Sequence, residues 1–199
     1  MKIADMIIKK KYTEVIWYGR GGQGAITASQ LIADAAYEEG YRGVTTAPSF
    51  GAERRGAPVS AFLRLAHEPI RIFSQISTPD IIVVLDPSLL PVLDLPGRFP
   101  ASSVVIINSK YTPEKLKLEH FNTVGIADIT TVALENNLTM AGVAILNTPI
   151  LGAFVKVTGL VSLAAVEKAI IKKFSSTGAR INMLTARIIH DATKIYSTN

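Results

Sequence analysis

Cysteine is absent from the 199 residues, and its absence closes several routes at once. No disulfide framework can form, so nothing points to secretion. No iron–sulfur cluster can be held, because such clusters need Cys thiolates. A zinc site would have to come from His and carboxylates, yet His67, His120 and His190 are far apart and lack ligand spacing. The chain also lacks a long apolar run. The N-terminus, with Lys2, Asp5 and Lys9–Lys11, has no signal-peptide block, and no stretch is long and charge-free enough to span a bilayer. The expectation is a cytoplasmic protein with no membrane contact. Aromatic residues are scarce at 7%, and the basic clusters Lys9–Lys11, Arg54–Arg55 and Lys172–Lys173 do not alternate with them. A nucleic-acid groove would need that alternation.

What is present is core material. Hydrophobic residues make up 48% and charged residues 19%, with a formal net charge of +5. A mildly basic chain suits anionic ligands or acidic partners. The run Glu14-Val-Ile-Trp-Tyr18 reads as a strand, and Gly19-Arg-Gly-Gly-Gln-Gly24 follows it. Ile26, Leu31, Ile32, Ala35 and Ala36 then fall at helical spacing, with Gly40 as the stop. Residues 43–48 read as a second strand, which completes a βαβ unit of a parallel sheet. Val59–Leu65 and Ile70–Gln75 read as two strands joined by a turn at Ala66–Pro69. Asp80–Asp86 and Ser103–Asn108 are continuous apolar runs, as strands buried on both faces should be. Phe121–Ile126 adds another strand and Ala127–Asn136 a helix.

The C-terminal third reads as helical. Asn147-Thr148-Pro149 places a capping residue before a proline at the first helical position, and Gly159 supplies the stop. Ser162 caps the next helix, Leu163–Phe174, and a last amphipathic helix covers about 179–196. No repeat or low-complexity tract interrupts the chain. The expected fold is α/β: a Rossmann-like, mostly parallel sheet flanked by helices, with a helical C-terminal segment. A single domain over 1–199, its core at about 14–174, accounts for all of it.

The glycine turn carries the clearest chemistry. Gly19, Gly21 and Gly24 match the phosphate-binding fingerprint, in which bare backbone lets an anion approach the amides at a helix N-terminus. A dinucleotide site also needs an acidic residue ending the second strand, where this chain has Thr45-Thr46-Ala47-Pro48. Glu38 and Glu39 lie earlier on the helix, and Glu53 lies in the following loop. NAD is therefore disfavoured; glycines serving only close packing, or a phosphate ligand of another kind, stay open. The loop Ser49-Phe-Gly-Ala-Glu-Arg-Arg-Gly56 opens beside the turn if the second strand is parallel. Arg54 and Arg55 could clamp a phosphate or carboxylate there, or pair with Glu53 at the surface.

Three motifs, in order, resemble one family. Gly19–Gly24, Pro48-Ser-Phe-Gly-Ala-Glu-Arg-Arg-Gly-Ala-Pro58, and Asn147-Thr-Pro-Ile-Leu-Gly-Ala-Phe-Val-Lys-Val-Thr-Gly159 with Ser162-Leu-Ala-Ala-Val-Glu-Lys look like the gamma subunits of pyruvate:ferredoxin oxidoreductase (pyruvate synthase), of the 2-oxoacid:ferredoxin oxidoreductase family. The resemblance implies a complex that converts pyruvate and coenzyme A to acetyl-CoA and CO2 and reduces ferredoxin. It places thiamine diphosphate and magnesium on alpha and beta subunits, and the iron–sulfur clusters on beta and delta. It implies no catalytic residue and no metal in this chain, which has no Gly-Asp-Gly stretch leading to an Asn. For the present chain it implies coenzyme A as the ligand, with Gly19, Arg20, Gly21, Gly22, Gln23, Gly24, Ser49, Arg54 and Arg55 as candidate contacts. Another 2-oxoacid (2-oxoisovalerate, 2-oxoglutarate or indolepyruvate) and a purely structural subunit are the alternatives.

Overall fold

In the computed structural model, residues 10–49, 57–72 and 74–197 are described. Strand β1 (Thr13–Arg20) sends Val15 and Trp17 to one face and Ile16 and Tyr18 to the other, and all four are buried. A strand so placed must be central. Helix α1 (Ala25–Glu38) leads to β2 (Gly43–Ser49), and β3 spans Pro58–Ala66. β4 (Ile81–Val84), β5 (Val104–Asn108) and β6 (Thr123–Ala127) follow, and α2 covers Ile129–Glu135. The two-residue strands β7 (Thr139–Met140) and β8 (Val143–Ala144) form a small hairpin that the residue pattern did not announce. Its central residues, Ala141 and Gly142, have φ of 50° and 76°, the left-handed pair that a tight hairpin turn requires. Helices α3 (Pro149–Thr158), α4 (Leu163–Lys173) and α5 (Ser176–Ala192) precede a final strand, β9 (Lys194–Ser197).

The seven-stranded sheet has the order β2-β3-β1-β4-β5-β6-β9. β1, β4, β5 and β6 run parallel. The second strand does not neighbour β1, because β3 lies between them and pairs antiparallel with both. Composition explains this exchange. β2 contains Pro48, which has no N–H to give and belongs at an edge. β3 buries Ala61, Leu63 and Leu65 against the core, so it takes the inner place. Its register sets Arg64 opposite Glu14, where the guanidinium donates to the carboxylate at 2.7 Å.

Two further expectations change. The segment Ile70–Gln75 forms no strand among its described residues. Instead the chain folds over the start of β2: a Cβ on Gly43 would lie 2.1 Å from the Glu68 carbonyl and 2.7 Å from Ile70. The last helix stops at Ala192 rather than near 196. Thr193 turns to an extended conformation, its hydroxyl donates to the Ile189 carbonyl, and the chain joins β6 antiparallel as an edge strand. The remaining expected strands and helices form, with ends shifted by a few residues.

Helices α1 to α5 bury residues against one face of the sheet, the face of Trp17, Val83 and Ile106. The opposite face is covered by shorter pieces carrying Leu89, Leu93, Phe99, Leu118 and Phe121. Trp17 stacks on Phe154 of α3, ring centroids 5.4 Å apart. α3 and α5 touch at Gly152, where a Cβ would sit 2.0 Å from the Ala186 carbonyl oxygen. Thr148 precedes Pro149 at the start of α3, yet its hydroxyl does not cap the helix. It donates instead to Asn182 on α5. Gly159 ends α3 at φ 62° and Ser162 caps α4, its hydroxyl accepting from the Ala165 amide at 3.1 Å.

Candidate functional site

The glycine turn stands at the carboxyl end of β1, the edge of a parallel sheet where ligand crevices open. Gly22 and Gly24 adopt φ of 93° and 84°, which only glycine takes without strain. Gly24 caps α1; among the described residues no side chain caps the helix, and no acidic residue stands in its first turn. The first-turn amides have no partner within the helix, and the helix dipole adds partial positive charge. This is the electrostatic character that an anionic group needs.

The turn's side chains are held from the neighbouring strand. Gln23 accepts the Arg20 amide through Oε1 at 2.7 Å and donates from Nε2 to Asp86 at 2.8 Å. Arg20 donates from Nε to Asp86 at 3.1 Å and from Nη2 to Ser88 at 2.8 Å. Asp86, just past β4, takes the Ser88 amide and hydroxyl on its other oxygen, at 2.9 and 2.6 Å. Burial raises the Asp86 pKa, but the bonds from Ser88 and Gln23 and the Arg20 charge outweigh it. The net shift is downward, so Asp86 is a carboxylate at neutral pH. Arg20 and Gln23 are thus braced along the strand ends.

The polar loop is tied to the same turn. The Gly21 amide donates to the Ala57 carbonyl at 2.9 Å, and Arg20 faces Pro58 in register. β3's inner position makes this possible, because it brings the chain back beside β1 as soon as the loop ends. Arg54 and Arg55 lie outside the described residues. Ser49, at the end of β2, faces Ser60, which faces Tyr18. It therefore shares a row with the turn but stands two strands from β1, roughly 10 Å at ordinary strand spacing. Of the candidate residues, the structure brings Gly19 to Gly24 into one turn and sets Ser49 apart from them.

Two residues join the site that the sequence reading left outside it. Asn147, read there as the start of a helix, packs on the glycine turn. A Cβ on Gly24 would fall 2.7 Å from its Cβ and Nδ2. The first and third sequence motifs therefore meet in space. Asn147 Oδ1 is buried with no hydrogen-bond partner among the described residues. Asn108 ends β5 and clamps the end of β4 to the start of α2. Its Nδ2 donates to the Leu85 carbonyl and Thr130 hydroxyl, both at 2.9 Å. Its Oδ1 accepts the Ile129 and Thr130 amides at 3.0 and 3.2 Å. The signal was available: a buried polar residue closing an otherwise apolar run. Asn108→Ala leaves the buried Ile129 amide without an acceptor, so urea unfolding should show a loss of about 2 kcal/mol. A loss under about 0.5 kcal/mol would show that the clamp is dispensable.

The acidic residues at the far end of α1 tie it to α4 and its cap. Glu38 pairs with Lys172 on α4, and Glu39 accepts the Ser162 amide at 3.1 Å. Midway along β2, Thr46 shares a hydrogen bond with Ser29 at 2.8 Å, and β2 contains no carboxylate to hold a ribose. The histidines have separate local roles: His67 stacks on Tyr41, His120 meets the Phe99 carbonyl, and His190 meets Asp191. Among the described residues no three potential metal ligands gather, and no helix is long and apolar enough to cross a membrane.

Known proteins resemble this chain in sequence and fold. The family model for pyruvate ferredoxin/flavodoxin oxidoreductase matches residues 14–192. The chain is 44% identical over 187 residues to the pyruvate/ketoisovalerate oxidoreductases common subunit gamma of Pyrococcus furiosus, covering 92% of this chain and 98% of that one. The crystal structure of pyruvate oxidoreductase subunit PORC from Thermotoga maritima superposes with a TM-score of 0.80 at 36% identity, covering 94% of this chain and all of the other. A 2-oxoglutarate:ferredoxin oxidoreductase from Magnetococcus marinus, solved with 2-oxoglutarate, coenzyme A and succinyl-CoA, shares the fold over 92% of this chain. That match has a TM-score of 0.70 at 19% identity and takes in 32% of the larger chain. With the profile spanning nearly the whole length and gamma-type relatives above 40% identity, the chain belongs to the pyruvate ferredoxin/flavodoxin oxidoreductase family.

Proposed function

We propose that this chain is the gamma subunit of a pyruvate-type 2-oxoacid:ferredoxin oxidoreductase, and that its glycine turn receives the phosphates of coenzyme A. One observation carries the ligand assignment: a left-handed glycine turn opens a helix whose first turn holds no acidic residue and which no side chain caps among the described residues. A pyrophosphate suits the first-turn amides, and the missing ribose carboxylate argues for coenzyme A over NAD. The Magnetococcus relative, solved with coenzyme A bound, is consistent with this choice. Arg54 and Arg55 of the loop that ends at Ala57 complete the proposed contacts, and Ser49, two strands from the turn, can meet only a part of coenzyme A remote from the pyrophosphate.

The chain supplies binding and positioning. Thiamine diphosphate with magnesium on alpha and beta partners provides carbanion stabilisation when bound, and clusters on beta and delta carry electrons to ferredoxin. The residues of this chain do not enter those steps. Its work is to neutralise phosphate charge and to present the thiol end of coenzyme A toward a neighbouring subunit, in the cytoplasm. A second reading is supported by the name of the Pyrococcus relative, a subunit common to pyruvate and ketoisovalerate enzymes. One gamma chain can serve two complexes if it contacts coenzyme A and leaves the oxoacid to its partners.

The test uses the intact complex. Charge reversal of Arg54 and Arg55 should raise the KM for coenzyme A roughly tenfold or more while leaving the KM for the oxoacid unchanged. An unchanged KM for coenzyme A would leave a purely structural subunit as the better account.

A further inference from the structure

A second opening lies along the carboxyl edge of the sheet, past Ser88 and away from the glycine turn. It is a cavity of about 850 Å³ at the ends of β4, β5 and β6. That volume falls within the range of roughly 300–1,000 Å³ typical of small-molecule sites. Its lining falls into three zones. Leu90, Leu95, Leu116 and Leu118, with prolines between them, make an apolar floor. Above the floor come the hydroxyls of Ser109 and Thr130. Each accepts one bond, from the Tyr111 amide at 3.0 Å and from Asn108 at 2.9 Å, and each keeps a proton to donate.

The third zone is cationic. Lys110, Lys115 and Lys117 all come from one eight-residue wall. The ammonium groups of Lys110 and Lys115 sit over the half-exposed ring of Tyr111, 5.6 and 5.8 Å from its centre. Tyr111 thereby gathers two positive charges at the mouth. The acidic lining residues are turned to local work. Asp128 accepts the Thr131 amide at 3.1 Å and its hydroxyl at 2.8 Å, and the Asp94 carboxylate lies over Gly97. Among the described residues, no ion pair engages any of the three lysines.

We propose that this cavity binds a nucleoside phosphate, with its base against the floor, its sugar at the hydroxyl band and its phosphate at the lysine rim. A bare phosphate would leave the floor unused, and an uncharged nucleoside would leave the rim unused. The cavity shares the bracing residues Ser88 and Asn108 with the first site but none of the glycine turn's own residues, and it does not depend on the coenzyme A assignment.

Titration of the labelled full chain with AMP, followed by amide chemical shifts, tests the proposal. Saturable shifts are expected at Ser109–Lys117 and at Thr130 and Thr131. Adenosine and inorganic phosphate should each bind at least roughly tenfold more weakly than AMP. Lys110→Glu together with Lys115→Glu, both at exposed positions, should weaken AMP by roughly tenfold or more with thermal unfolding unchanged. Shifts confined to residues 20–25, an affinity indifferent to the double charge reversal, or no saturation at all would each overturn it.

Discussion

Replacing Gly24 with alanine is expected to unfold the turn and abolish its ligand together. Two independent costs fall on this position. The left-handed backbone, φ 84°, costs an alanine about 1–2 kcal/mol. The new methyl would also lie 2.7 Å from Asn147, and forcing such an overlap costs about 1–3 kcal/mol more. Gly22 provides the control. It has the same kind of backbone, φ 93°, but nothing lies within 4 Å of an added Cβ. Gly22→Ala should therefore cost only the backbone share. Urea unfolding of the two variants, with coenzyme A affinity measured on complexes rebuilt with each, separates strain from crowding. Equal losses would mean that Asn147 yields freely and does not brace the turn.

Gly152→Ala should be at least as damaging, through a different mechanism. Gly152 is helical and unstrained, so its requirement is one of space. An added methyl meets the Ala186 carbonyl at 2.0 Å and the His190 amide nitrogen at 2.8 Å. These are backbone atoms and cannot swing aside as a side chain would. α3 and α5 must separate, which disturbs the Thr148–Asn182 bond and the Trp17–Phe154 stack at one stroke. A loss of about 3 kcal/mol or more is expected, read as a fall in the urea midpoint. Alanine is otherwise the better helix former, so a stable Gly152→Ala would show that the helices are not held at this distance.

The parallel strands were legible because burial on both faces writes continuous apolar runs such as Ile81–Val84 and Val104–Ile107. The glycine turn and the caps at Ser162 and Gly159 were legible for a similar reason: each is a local backbone requirement. Pairing was not. Whether β2 or β3 stands beside β1 depends on contacts tens of residues apart, and Pro48 was the one local sign that β2 belongs at an edge. The end of the last helix was missed because Lys194-Ile-Tyr-Ser continues the amphipathic pattern, while the demand for a strand comes from the open side of β6. At the site, each motif is a local run that the sequence displays, but the contact between Gly24 and Asn147 spans more than a hundred positions. Asn108 appeared only as the end of a strand, since its four partner groups belong to Leu85, just past β4, and to Ile129 and Thr130 of α2.

The position of Trp17 has an optical consequence. It is the one tryptophan in the chain, fully shielded from water, two residues before Gly19 and stacked on a ring from α3. Its fluorescence therefore comes from a single, dry environment shared by the strand that feeds the turn and the helix behind it. The chain carries its own label there, and the colour of that emission can report whether strand and helix remain in register.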